Sequence, residues 1–326
     1  MTGTSKSRLR VACIGAGNMA NLVHYPSLAS LDDVEIAAIC DLDAGRLHTT
    51  AERYGVERRY TDYRDMIEEI APDAVYAIGH PHVMYDVWTW CLRQGLNLFI
   101  EKPMGMTIHQ ARSLAYLADK HGCITQVGFQ RRTCPMVVKL RHACLERGPI
   151  VHAVCRFCKC AMTPYLEARD RLIDDGIHAV DTVRWMCGGE VTAVHSLAKR
   201  VGTPDRNWFA AALEFDNGAI GMLTTSWSSG RRIFDVEMHA PGICAEGEHE
   251  GEGHLYADGD TEGVRYDTRE VAGSNEFYVY GGFRAKHREF VDAIRSGGQP
   301  GSWFGDAVKT MEVAERILAQ TLLREV

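Results

Sequence analysis

From residue 9 to residue 127, short apolar, β-branched runs alternate with stretches whose apolar positions recur at helical spacing. "LRVACIG", "EIAAICD", "DAVYAIG", "NLFIE" and "CITQVGF" read as strands, with a weak one at "RRY". "NMANLVHYPSLASL", "AGRLHTTAERYG", "DYRDMIEEI", "HVMYDVWTWCLRQG" and "TIHQARSLAYLADKHG" read as helices, the second closed by Gly55 as a C-cap. Such alternation predicts a parallel sheet covered on both faces. After about residue 128 the pattern changes. A helix at "PMVVKLRHACLERG" precedes the long strand "IVHAVCRFCKC", and a helix at "DDGIHAVDTVRWMCG" precedes "VTAVHSLAKR", "NWFAAALEF", "AIGMLTTSW" and "RIFDVEMHA". Asp216, Asn217 and Gly218 join two of these strands as a hairpin turn. The acidic, glycine-rich "EGEHEGEGHLYADGDTEG" reads as exposed hairpins, and helices near 283–295 and 303–323 follow. This half predicts an α+β domain with a large, mostly antiparallel open sheet.

A length of 326 residues suits about two domains, here 1–127 and 128–326. The net charge of −7, with no lysine- or arginine-rich block, argues against a nucleic-acid or membrane-surface partner. No apolar run approaches a membrane span. "MTGTSKSRLR" leads into a stretch too short and glycine-rich for a signal sequence, so a cytoplasmic protein with a loose leading tail is expected. Eleven scattered cysteines are then expected as free thiols. The cluster Cys155, Cys158 and Cys160 lacks a second ligand pair and is split between two strand faces, so no metal is expected.

Gly15 and Gly17 follow the first strand at the mouth of a helix, in a G-x-G-x-x-A pattern completed by Ala20. Gly15 permits a tight turn, and Gly17 leaves a pyrophosphate room to approach the helix N–H groups. Asn18 and Met19 complete the loop as further cofactor contacts. Asp41 ends the second strand, where a carboxylate accepts hydrogen bonds from the adenosine ribose and repels the 2′-phosphate of NADP. NAD is therefore expected rather than NADP. Arg46 keeps the phosphate in play, and Asp41 also suits a helix N-cap. The first domain reads as a Rossmann domain.

Ligands of open parallel sheets bind beyond the carboxyl ends of the strands. "NLFIEKP" ends the fifth strand, so Glu101 and Lys102 emerge there. Pro103 keeps Lys102 out of the helical region and ends the ladder. A second constellation, Asp174, His178 and Asp181, is spaced i, i+4, i+7 along one helical face. Flanking carboxylates hold a histidine in orientation and favour its protonated form, which suits proton transfer.

With "GAGNMA" at 15–20, "EKP" at 101–103, "VGFQRR" at 127–132 and "DDGIHAVD" at 174–181, the chain resembles the Gfo/Idh/MocA family, the glucose–fructose oxidoreductase and inositol dehydrogenase group, over essentially its full length. The resemblance implies a Rossmann domain followed by an α/β domain whose open sheet packs in homodimers or homotetramers. It implies that Lys102, Asp174 and His178 are the catalytic group, that Glu101 lies near the nicotinamide ribose, and that Gln130 and Arg131 border the site. Gly79, His80, Pro81 and Tyr85 follow the fourth strand and are candidate cofactor contacts. Tyr85 stands where relatives often carry a histidine. Tyr165 and Arg169 lie in a loop that varies with substrate. With Arg131, Arg132 and Asp181 they suggest a small polar, hydroxyl-rich substrate.

Three activities compete. A dehydrogenase moves a hydride between nicotinamide and a carbinol carbon of a sugar, cyclitol or related polyol. A glycoside-cleaving relative keeps NAD bound through oxidation, elimination and re-reduction. A sensor of sugar or cofactor uses the fold without chemistry, and has no need to keep Lys102, Asp174 and His178 together.

Overall fold

The apolar runs before residue 128 pair side by side in the computed structural model, which describes residues 7–166 and 169–322. They are β1 (Leu9–Ile14), β2 (Val34–Cys40), β3 (Arg59–Tyr60), β4 (Ala74–Ala77), β5 (Leu98–Ile100) and β6 (Thr125–Val127), ordered β3-β2-β1-β4-β5-β6. All are parallel, and this is the Rossmann order. Strands covered on both faces lose the alternation of buried and exposed positions. Accordingly, every residue of β4 and β5 is buried. Helices lie between the strands. Asp43, Asp62 and Thr107 cap three of them, and Gly55, left-handed at φ 64°, closes the first of those three.

A segment distant in sequence completes this unit. The helix Phe283–Ser296 buries Phe283, Lys286, His287, Phe290 and Val291. Phe290 and Val291 join Val11, Tyr76 and Phe99 in one apolar cluster. The first compact unit therefore runs to Gly128 and takes in Phe277–Val279 and Phe283–Asp306. The second holds Phe129–Glu276, Tyr280–Gly282 and the chain from Ala307. This differs from a linear division at 127/128. An apolar helix stripe announces burial, but not which partner buries it.

The second unit carries eight strands: β7 (His152–Cys160), β8 (Val191–Lys199), β9 (Trp208–Phe215), β10 (Ile220–Ser226), β11 (Ser228–Ala240), β12 (Ile243–Glu248), β13 (Glu252–Ala257) and β14 (Val264–Asp267). Their order is β14-β13-β12-β11-β7-β10-β9-β8, with β7 and β10 parallel and the other neighbours antiparallel. Helices Pro135–Arg147 and Ile177–Cys187 pack on the sheet. A Cβ on Gly221 would stand 2.3 Å from a Val183 methyl, so glycine lets the second of these helices sit close to β10. By strand alternation Ile220 and Met222 face the other way and are exposed, as is Leu197. All eleven cysteines are unpaired, with Cys155 buried and Cys160 exposed. Among the described residues no helix is long and apolar enough to cross a membrane.

Candidate active site

The nucleotide end is built by backbone necessity. Gly15 has φ +104°, and a Cβ there would lie 2.1 Å from Ile78 O, so only glycine makes this turn. Among the described residues a Cβ on Gly17 would meet nothing within 4 Å, which leaves open space in front of the helix that starts at Asn18 and Met19. The loop carbonyls already have donors. Tyr25 Oη donates to Gly15 O at 3.0 Å, and Asn21 Nδ2 to Ala16 O at 2.9 Å. Asp41 ends up facing the loop, where its Oδ2 accepts the Ala16 N–H at 2.7 Å and its Oδ1 the Asp43 N–H at 2.8 Å. The helix Ala44–Tyr54 is capped by Asp43 and not by Asp41. Arg46 Nη2 lies 3.3 Å from Asp41 Oδ1. Gly79 and His80 lead from β4 into the helix Pro81–Arg93, with Pro81 in its first turn and Tyr85 half-buried in its second.

Glu101 and Lys102 follow β5, and the Lys102–Pro103 peptide is cis. Glu101 is buried and Lys102 half-buried. The Glu101 carboxylate is held at both oxygens. Oε2 accepts the Lys102 N–H at 3.2 Å, and Oε1 lies 2.9 Å from His24 Nε2. His24 Nδ1 lies 3.0 Å from His287 Nε2. Neither histidine was expected from sequence. The available signal was a histidine in the first helix at a position of apolar periodicity.

In the second unit Asp174 lies on a π-turn, Leu172–Gly176, that runs into the helix Ile177–Cys187. Tyr165 Oη donates to Asp174 Oδ2 at 2.7 Å, which ties the segment that follows β7 to the acid of the π-turn. His178 is buried, with its ring edge-on to Phe129 and Phe157 at 6.5 and 6.4 Å. Asp181 is buried deeper. Arg132 grips it with Nε at 2.7 Å and Nη2 at 2.5 Å, and Thr310 Oγ1 donates at 2.9 Å. Both of its oxygens are thus occupied from within the fold, a different setting from the shared helical face expected. Arg169 pairs with Glu315 and Asp170 at 2.8 and 3.1 Å. With Tyr165, Arg171, Arg200 and Asp205 it lines a cleft of about 440 Å³.

Gln130 and Arg131 sit on a buried 3₁₀ turn, Gln130–Thr133. Among the described residues Gln130 Oε1 is buried without a hydrogen-bond partner. Arg131 stacks over Phe234 at 4.4 Å, with Nη1 2.8 Å from His249 Nδ1. Burial, with Arg131 alongside, pushes His249 from 6.5 down to about 4. The folded value lies below the unfolded one, so the unfolded chain takes up the proton first. This stabilisation is complete above pH about 6.5 and is lost as pH falls towards 4. Thermal melts across that window should show a steeper loss for the wild type than for His249→Gln.

A family profile described as "Oxidoreductase family, NAD-binding Rossmann fold" matches residues 9–129, and another, "GFO/IDH/MocA C-terminal domain", matches residues 148–240. The chain belongs to the Gfo/Idh/MocA family. It is 28% identical over 303 residues to the D-glucoside 3-dehydrogenase of Escherichia coli K12, covering 83% of this chain and 85% of the relative. It is 28% identical over 324 residues to the rhizopine catabolism protein MocA of Rhizobium meliloti, covering 95% and 94%. A dehydrogenase structure from Chromobacterium violaceum shares the fold at a TM-score of 0.88 and 21% identity, over 98% of this chain and 97% of that one. For a Gfo/Idh/MocA oxidoreductase, the first unit fits a dinucleotide on its own geometry: open space at Gly17, a helix start behind it, and a carboxylate closing β2.

Proposed function

We propose that this protein is an NAD-dependent dehydrogenase that oxidises a carbinol carbon of a sugar, cyclitol or related polyol. The observation that carries the reading is Lys102. In a member of an oxidoreductase family it leaves the carboxyl end of β5 with its backbone N–H fastened to Glu101. Relatives named D-glucoside 3-dehydrogenase and, at 24% identity over 311 residues, myo-inositol 2-dehydrogenase of Thermotoga maritima support the substrate class. Bound NAD supplies the hydride acceptor. Lys102 donates a hydrogen bond to the substrate oxygen and stabilises the negative charge that develops on it. His178 takes the hydroxyl proton, and Asp174, itself held by Tyr165, orients His178. Gln130 and Glu101 serve the cofactor. A reducing, cytoplasmic compartment fits the unpaired thiols. Pairing of two copies, or assembly of four, through the open face of the second sheet fits exposed Ile220, Met222 and Leu197.

The test is NADH formation, followed by absorbance, against a panel of polyols, aldoses and glycosides, with NADP run in parallel. No NADH with any of them would sink the dehydrogenase reading. The relative named for oxidation of a D-glucoside favours keeping a second reading, glycoside cleavage with NAD retained. That activity would release aglycone from a glycoside without accumulating NADH. Asp41→Ala is expected to weaken NAD binding about tenfold, because a charge-assisted hydrogen bond to ribose is lost. NADP binding should weaken less, and calorimetry with both cofactors measures the difference.

A further inference from the structure

The buried chain Glu101–His24–His287 lies outside the proton-transfer group proposed above, and each link in it is a hydrogen-bond contact. His24 closes a π-turn, Ala20–His24, in which the Tyr25 N–H reaches back five residues to Ala20 O. Such turns insert one residue into a helix and re-aim the side chains around them. Here the turn points His24 inward, where it is 2% exposed. His287 comes from the helix Phe283–Ser296 and is fully buried. Its ring stacks on Phe99 with centroids 4.9 Å apart and lies 5.1 Å from Tyr76, while His24 packs edge-on to Phe99 and Phe283. A Cβ on Gly128 would stand 2.6 Å from Glu101 Oε1, so glycine there leaves room for the carboxylate.

The proton count along the chain closes in one way when both rings are neutral. The Glu101 carboxylate accepts from His24 Nε2–H. His24 Nδ1 is then bare and accepts from His287 Nε2–H. His287 Nδ1 is left bare, and among the described residues it has no hydrogen-bond partner. Burial drives His287 well below the ordinary histidine range, which keeps it neutral.

We infer that His24, backed by His287, is a positioning residue: it fixes the Glu101 carboxylate, and through it the Lys102 backbone, for the nicotinamide end of the dinucleotide. This role rests on the dehydrogenase reading above. Leucine at position 24 leaves Glu101 a buried carboxylate with one anchor. Glutamine keeps an N–H at the distance of Nε2.

The experiment compares the affinities of NADH, by fluorescence, and of ADP, by calorimetry, in the wild type, His24→Leu and His24→Gln. NADH binding by His24→Leu should weaken about tenfold or more, as for loss of a hydrogen bond to a charged group. ADP should be unchanged, because it does not reach the nicotinamide end, and His24→Gln should recover most of the NADH affinity. Equal weakening of NADH and ADP, no weakening of either, or a glutamine variant as poor as leucine each overturns the role. If His24→Leu does not fold, His287→Phe replaces it. That variant keeps a ring on Phe99 while removing the donor, and should weaken NADH binding selectively by about threefold. Wild-type protein that binds no NADH overturns the dehydrogenase reading together with this role. Wild-type binding without the selective loss overturns this role alone.

Discussion

Lys102→Ala should lower turnover by about three orders of magnitude, with NADH affinity within about a factor of three of wild type. A positioned donor at a developing oxyanion contributes about 10²–10³ in rate, and a general acid–base group about 10²–10⁴. The lysine is asked for the first of these and shares in the second. Its backbone is anchored by Glu101, which alanine leaves in place, so the strand end and the nucleotide loop are not disturbed. Lysine in a loop is ordinarily a solvated residue whose loss changes nothing. Near-normal turnover in a variant that still binds NADH would therefore return Lys102 to that ordinary role and remove the centre of the proposed chemistry. The same variant separates the two enzymatic readings. A dehydrogenase loses NADH formation, whereas a glycoside-cleaving enzyme loses aglycone release.

The parallel pairing of the first sheet was legible because a parallel sheet imposes alternation of strand and helix, and because tight βα turns need glycine at fixed places. Gly15 could be read in this way: its φ of +104° and its approach to Ile78 follow from the turn type. The place of Glu101 and Lys102 at the end of β5 was legible because the apolar run of a buried strand stops there at an acid, a base and a proline. His24 was not. Its reach to Glu101 depends on one π-turn, and no simple period encodes the insertion of a residue into a helix. His287 is 263 residues from His24, on a helix whose partner the pattern leaves open. Asp43 rather than Asp41 took the cap because two acids stand near the helix start, and local propensity does not choose between them. Asp181 illustrates the limit best. Spacing alone puts it with Asp174 and His178, but a helix buried on nearly every side gives each carboxylate its own neighbours.

Those neighbours make Asp181 the site of the largest expected stability effect. Its carboxylate is 1% exposed, held by two nitrogens of Arg132 and by the Thr310 hydroxyl, which in turn accepts from Arg184 Nη1 at 2.7 Å. Asp181→Ala removes the carboxylate that holds two nitrogens of the buried Arg132 guanidinium, and breaking a buried ion pair at one partner costs about 3–5 kcal/mol. At roughly 2–4 °C per kcal/mol for a domain of this size, the melting temperature should fall by about 6–20 °C in calorimetry. Removing both charges is gentler than removing one, because an apolar pair of similar volume carries no desolvation cost. Arg132→Met combined with Asp181→Leu should therefore melt well above Asp181→Ala. This double variant also distinguishes a structural Asp181 from a substrate ligand. A purely structural carboxylate predicts that, once stability is recovered, KM for the substrate found in the NADH screen returns to near the wild-type value. A carboxylate that touches substrate predicts a raised KM in both variants whatever their melting temperatures, and that result would restore Asp181 to the binding site.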